Sequence, residues 1–221
     1  MSRSEGDMAI IAEAMTRMDN ANEFSRRRET PTQNFVLTID PARPRMSQMT
    51  TAAPPTESEL TPRPIDPGAR IGHVHLKVAD LDRALAFYCG VLGFQLKQRY
   101  GNQAAFVAAG GYHHHIGLNT WESQGGSPPA PGTTGLFHFA IVYPTRAALA
   151  DALKRLIAAK VELDGASDHG VSEALYLRDS DGNGVELYWD RPEAEWPRNA
   201  DGTVAMFTKP LDLRSLLRES T

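Results

Sequence analysis

Two stretches of the chain, offset by 65 residues, follow one plan, and that repetition limits the fold more than any other feature of the sequence. In IGHVHLKVADLDRALAFYCGVLGF, Val74, Leu76 and Val78 alternate with His73, His75 and Lys77, the period of a strand with one apolar face. Asp80 is placed to cap a helix, Leu81, Leu85, Tyr88 and Leu92 follow at helical spacing, and Gly93 ends it. In GLFHFAIVYPTRAALADALKRLIAAK, Phe139, Ile141 and Tyr143 alternate with His138, Ala140 and Val142. Thr145 is the second cap, and Leu149, Leu153, Leu156 and Ile157 form the second helical stripe. His73 to His138 and Asp80 to Thr145 are both steps of 65, so each histidine stands seven residues before its cap. This is an internal repeat.

Three strand-like runs follow each helix: FQLKQRY, QAAFVAA and HHHIGLNTW, then KVELDG, EALYLRD and GVELYWD. The unit is strand–helix–strand–strand–strand, which predicts an α+β fold of two paired βαβββ modules. Module one is expected over residues 69–123 and module two over 135–192, within one domain at 69–192. Their curled mixed sheets are expected to enclose a funnel, with helices outside and alternate strand residues pointing in. The loop from Glu122 to Gly135 joins the units and is expected to be solvated. Residues 193–221 form a C-terminal extension with a short amphipathic stretch, Leu211 to Leu217, that lies over the funnel mouth or against a partner subunit.

Composition changes near residue 68. Eight of the fifteen prolines lie at or before Pro67, while only two aromatics do, Phe24 and Phe35. Such a segment buries too little apolar surface to offset the entropy of ordering it, so residues 1–68 are expected to be a disordered extension. Met8, Ile11, Met15 and Met18 recur at helical spacing and allow one short helix there. A native start near Met46 or Met49 is the alternative, in which case residues 1–45 do not belong to the native protein. The formal net charge of −4 argues against a nucleic-acid partner. No apolar run reaches membrane-spanning length, and the N-terminus lacks a signal-peptide core. The single cysteine, Cys89, rules out an internal disulfide and fits a reducing cytoplasm; it reads as buried filler on a helix face.

All seven histidines fall between His73 and His169. Matching HIGLNTW to GVELYWD pairs Ile116 with Val185 and Leu118 with Leu187, which sets Gly117 opposite Glu186. By alternation His113, His115 and Gly117 share the face that Glu186 uses, so His115 is expected to look into the funnel with His73, His138 and Glu186. His73, His138 and Glu186 make a set of two histidines and one carboxylate, which holds a metal on one side and leaves the other open. Nitrogen and carboxylate ligands suit Fe(II) or Mn(II), and Zn(II) or Co(II) would also bind. His75 falls opposite Ala140 in the repeat and is expected to pack or support; His113 and His114 default to structural or solvent-facing roles.

On GHVHLKVADLDRALAFYCGVLGF, FHFAIVYP and DSDGNGVELYW, the chain from about Arg70 to Pro192 resembles the vicinal oxygen chelate superfamily of glyoxalases, fosfomycin-resistance enzymes and extradiol dioxygenases. A glyoxalase-like site takes two histidines and two glutamates, and here the matching first-module position is Gly117. The segment HHIGL resembles the extradiol segment whose second histidine is the acid–base residue, which implies that role for His115. SDHGVSEALYLRD resembles the segment that supplies a further histidine and tyrosine, His169 and Tyr176. Within the superfamily the pattern is most similar to catechol 2,3-dioxygenase-type enzymes, although many of those carry two such paired domains. The resemblance implies an Fe(II)-dependent dioxygenase that takes a catecholic substrate and O2, with a homodimer expected. The alternatives are another divalent-metal enzyme of the same fold, either an isomerase or a thiol transferase, and a non-catalytic module that sequesters a small ligand.

Overall fold

The computed structural model describes residues 64–219. The expected N-terminal helix and the alternative starts at Met46 and Met49 lie outside the described residues, as does most of the 1–68 segment. Residues 64–71 belong to a separate unit, in which Asp66 closes a turn by accepting from the Gly68 and Ala69 amides.

The first repeat runs β1 (Val74–Lys77), α1 (Leu81–Leu85), β2 (Gln95–Tyr100), β3 (Ala104–Ala108) and β4 (Ile116–Asn119). Asp80 caps α1 through its carboxylate, which accepts from the Arg83 amide. The sequence predicts one helix as far as Leu92, but the chain widens into a π-helical turn over Ala86–Val91, with the Leu92 amide donating to the Phe87 carbonyl. Phe87 and Tyr88, neighbours in sequence, are both buried within this turn. Gly93, at φ 86°, then turns the chain toward β2.

The second repeat runs β5 (Phe139–Val142), α2 (Arg146–Ala158), β6 (Leu163–Asp168), β7 (Ser172–Arg178) and β8 (Gly184–Asp190). Thr145 caps α2 by accepting from the Ala148 amide. The C-terminal extension adds a two-residue strand β9 (Lys209–Pro210) and a short helix α3 (Leu213–Arg218).

Each module makes its own sheet, with strand orders β1-β4-β3-β2 and β5-β8-β7-β6-β9. The registers reproduce the repeat. Val74 pairs with Ile116 and His75 with Gly117, while Phe139 pairs with Val185 and Ala140 with Glu186. The protein is therefore α+β, built of two βαβββ modules.

One hydrophobic core serves both modules, joining Leu76, Leu118, Leu149, Leu153, Leu175 and Leu187 among others. The turn 179–183 of module two clamps the first module: Asp179 accepts from the Tyr88 hydroxyl at 2.8 Å, and Asp181 from the Ala79 amide and Arg83. The opposite faces of the sheets are open, with His75, Lys77, Ala140 and Val142 exposed. The Leu211–Leu217 stretch packs on the chain itself as α3: Leu216 is buried, and α3 lies on α2, joined through Arg146 and Ser215. Cys89 is free and half-buried, and burial raises its thiol pKa, which fits an inert filler.

Candidate active site

Module two gathers four of the six expected side chains on one open face. His138 precedes β5, and its Nε2 lies 3.0 Å from Glu186 Oε2 on the adjacent strand β8. The β7–β8 register sets Tyr176 directly opposite Glu186, and its ring lies 5.7 Å from that of His138. At the end of β6, His169 Nε2 meets the Tyr176 hydroxyl at 2.8 Å. Burial, and secondarily the negative charge of Glu186, push the Tyr176 phenol well above its ordinary range, so it stays protonated at neutral pH. An open cleft of about 310 Å³ runs past Phe137, His138, Gly165, Ser167 and Tyr176.

The other two expected residues lie on module one. His73 is exposed and packs its ring 4.5 Å from that of His114, the neighbour assigned a bland role from sequence. His115 stacks on Tyr112 at 4.6 Å, and its Nδ1 accepts from the Ala109 amide at 3.2 Å. A neutral His115 therefore carries its proton on Nε2. His113 and His114 meet through their Nδ1 atoms at 2.7 Å. His75 behaves as packing: it sits between Phe106 and Trp121, 5.9 and 5.6 Å away. Burial, and secondarily the neighbouring His73, lower its pKa.

Among the described residues, no three His, Cys, Asp or Glu side chains meet where one ion would touch them all. His138 and Glu186 are together; His73 is not with them. The nitrogen and oxygen donors of His138 and Glu186 fit a divalent first-row ion in kind, but one chain holds only two of the three expected ligands in place. A fourth, glyoxalase-type ligand is missing because position 117 is glycine, and a side chain there would press on His75. A Cβ there would lie 3.0 Å from three atoms of the His75 ring.

Sequence reasoning missed what holds His169. Its Nδ1 faces the Phe207 carbonyl oxygen at 3.1 Å and the Thr208 hydroxyl at 3.2 Å, both in the C-terminal extension. A main-chain carbonyl carries no residue signature, so no motif announces this contact.

The family model described as the glyoxalase/bleomycin resistance protein/dioxygenase superfamily matches residues 70–187. The chain is 42% identical over 151 residues to a catechol-2,3-dioxygenase of Bacillus subtilis (strain 168), a match covering 68% of this chain and 52% of that protein. It is 36% identical over 124 residues to biphenyl-2,3-diol 1,2-dioxygenase 3 of Rhodococcus globerulus, covering 55% of this chain and 63% of that protein. The matched stretches thus span between about half and two thirds of these curated relatives. Among solved structures, a glyoxalase/dioxygenase from Nostoc punctiforme superposes with a TM-score of 0.49 at 18% identity, over 59% of this chain and 99% of that one. A lactoylglutathione lyase from Agrobacterium tumefaciens gives 0.45 at 24% identity, over 56% and 96%.

Proposed function

The chain belongs to the glyoxalase/bleomycin resistance protein/dioxygenase superfamily, and from that premise we propose that it is an extradiol dioxygenase cleaving a catecholic aromatic with O2. The observation that carries this reading is the cluster on module two: His138 against Glu186, with Tyr176 and His169 hydrogen-bonded beside them over an open cleft. The relatives named as catechol and biphenyl-diol dioxygenases support it. Glycine at position 117, with no side chain to ligate, weighs against a four-ligand glyoxalase-type isomerase.

In this reading His138 and Glu186 would hold Fe(II), or Mn(II) in its place, with His73 as the third ligand. When bound, the ion would supply the Lewis acidity that lowers the pKa of the substrate hydroxyls. The chain's own groups do the rest. Tyr176 and His169 position the substrate oxygens at the cleft. His115, with its proton on Nε2, is the acid–base group.

His73 lies exposed on module one, apart from His138 and Glu186, so the complete ligand set needs that surface against the open face of a module two. A homodimer provides this: the first module of one copy covers the second module of the other. Exposed apolar side chains on module one (Leu96, Tyr100 and Trp121) and on module two (Phe137 and Val142) supply the surface. Among the described residues no helix is long and apolar enough to cross a membrane, and the proposed place of action is the cytoplasm.

Anaerobic loading with Fe(II), followed by O2 uptake on adding catechol, tests the reading. One O2 consumed per catechol with a coloured ring-fission product is expected, and Glu186→Gln lowers the rate by at least ~100-fold, the scale of losing a group needed in the transition state. A metal-dependent reaction without oxygen uptake points to another enzyme of the superfamily, and ligand protection without metal to a binding module. Either sinks the proposal.

A further inference from the structure

The segment between Trp196 and Thr208 lies beyond the matched family region, which ends at residue 187, yet it closes on His169. It is a built element. Its start is tied by the Trp196 indole, which donates to the Arg191 carbonyl. The Ala205 amide donates to the Pro197 carbonyl and the Asn199 amide to the Thr203 carbonyl, folding the segment into a hairpin-like strap. Beyond it, β9 pairs with Ser167 and Asp168, immediately before His169. The strap is pressed onto the next residue, Gly170: at φ 79° a Cβ there would lie 2.6 Å from the Phe207 ring and 2.8 Å from Pro197.

Hydrogen-bond chemistry then decides where the protons sit. A carbonyl oxygen only accepts, so the Phe207 carbonyl calls for a proton on His169 Nδ1. A neutral ring with that proton has a bare Nε2, which must accept from Tyr176. Tyr176 has one proton and two acceptors within reach, His169 Nε2 and the Glu186 carboxylate. The opposite arrangement needs Thr208 to donate to Nδ1 and leaves the Phe207 carbonyl facing a lone pair.

We propose that the C-terminal strap is a positioning element: through the Phe207 carbonyl it fixes His169 as the Nδ1–H tautomer, which turns the Tyr176 proton toward His169 and leaves the phenol oxygen as a hydrogen-bond acceptor toward the cleft. The site then favours a ligand that donates a hydroxyl hydrogen bond to Tyr176. The tautomer follows from the contacts alone; the meaning for a catechol rests on the function proposed above.

Long-range ¹H–¹⁵N spectra of histidine-labelled, metal-free full chain at pH 8 test it. His169, assigned by its loss in His169→Gln, is expected to show a protonated Nδ1 and a bare Nε2. Tyr176→Phe leaves that pattern in place, because the carbonyl sets it. Gly170→Ala, which displaces the strap, loses it in favour of a tautomer mixture. Phe207→Ala, which removes the ring that seats the strap on Gly170 and so lets the carbonyl drift, does the same where Gly170→Ala fails to fold. An Nε2–H ring in the unmodified protein overturns the proposal, as does a switch of tautomer in Tyr176→Phe or its persistence in both strap variants. These spectra need no turnover, so a chain inactive on catechol overturns the function and not the strap. In a chain active on catechol, the folded strap variant raises KM about tenfold, the worth of one hydrogen bond, with a smaller change in kcat.

Discussion

Tyr88 is fully buried, and its hydroxyl donates to Asp179, which also accepts from Asn183 and from the Asp181 amide. Burial and that carboxylate push its pKa far above the ordinary ~10. A raised folded-state value contributes stability that is complete below the unfolded pKa and is lost as pH climbs past it. Tyr88→Phe should cost about 1–2 kcal/mol near neutrality by breaking a buried bond to a charged group. Thermal melts should also show the unmodified protein losing stability from pH 9 to 11 more steeply than the variant; equal slopes would mean that Tyr88 ionises freely in the fold. The same scale shows how far residue identity carries. His138 and Glu186 were legible because the 65-residue repeat marks the one and the β8 register the other, and the structure sets them 3.0 Å apart. His114 was not: it stands in the loop before β4, where neither the repeat nor alternation singles it out, and only the fold put it against His73.

Among the elements, α2 was legible from cap to stripe, and its end holds a testable compromise. Lys160 takes a left-handed φ of 56°, with its amide donating to the Ile157 carbonyl and that of Val161 to the Leu156 carbonyl. That is the Schellman pattern, which favours glycine at the position Lys160 occupies. Lys160→Gly should therefore raise stability by about 0.5–1 kcal/mol in chemical denaturation; a loss would show that the lysine stem supplies more packing than its backbone strain takes away. The π turn after α1 was not legible. Its spacing of four, three and four fits a regular helix. Likewise the extension, expected over the funnel mouth or against a partner subunit, forms a strap on His169 and a helix on α2, both fixed by contacts remote in sequence.

For the molecule as a whole, the proposed homodimer predicts complementation. His73→Ala and Glu186→Gln chains should each retain little Fe(II). Refolded together in equal amounts, they should recover about a quarter of the unmodified sites, because half of the random pairs are mixed and each mixed pair keeps one intact site of two. Iron content and light scattering read this without any assay of turnover. No recovery, with iron bound by the unmodified protein, would place all three ligands within one chain. The alternation of apolar and polar residues and the caps 65 residues apart fixed two βαβββ modules and their registers, because local periodicity decides which face of an element avoids water. Which side chains come together on the open faces was left to tertiary structure, since an exposed polar face carries no period that names its partner. Only the packed chain brings His138 to Glu186, keeps His73 apart and sets a main-chain carbonyl against His169.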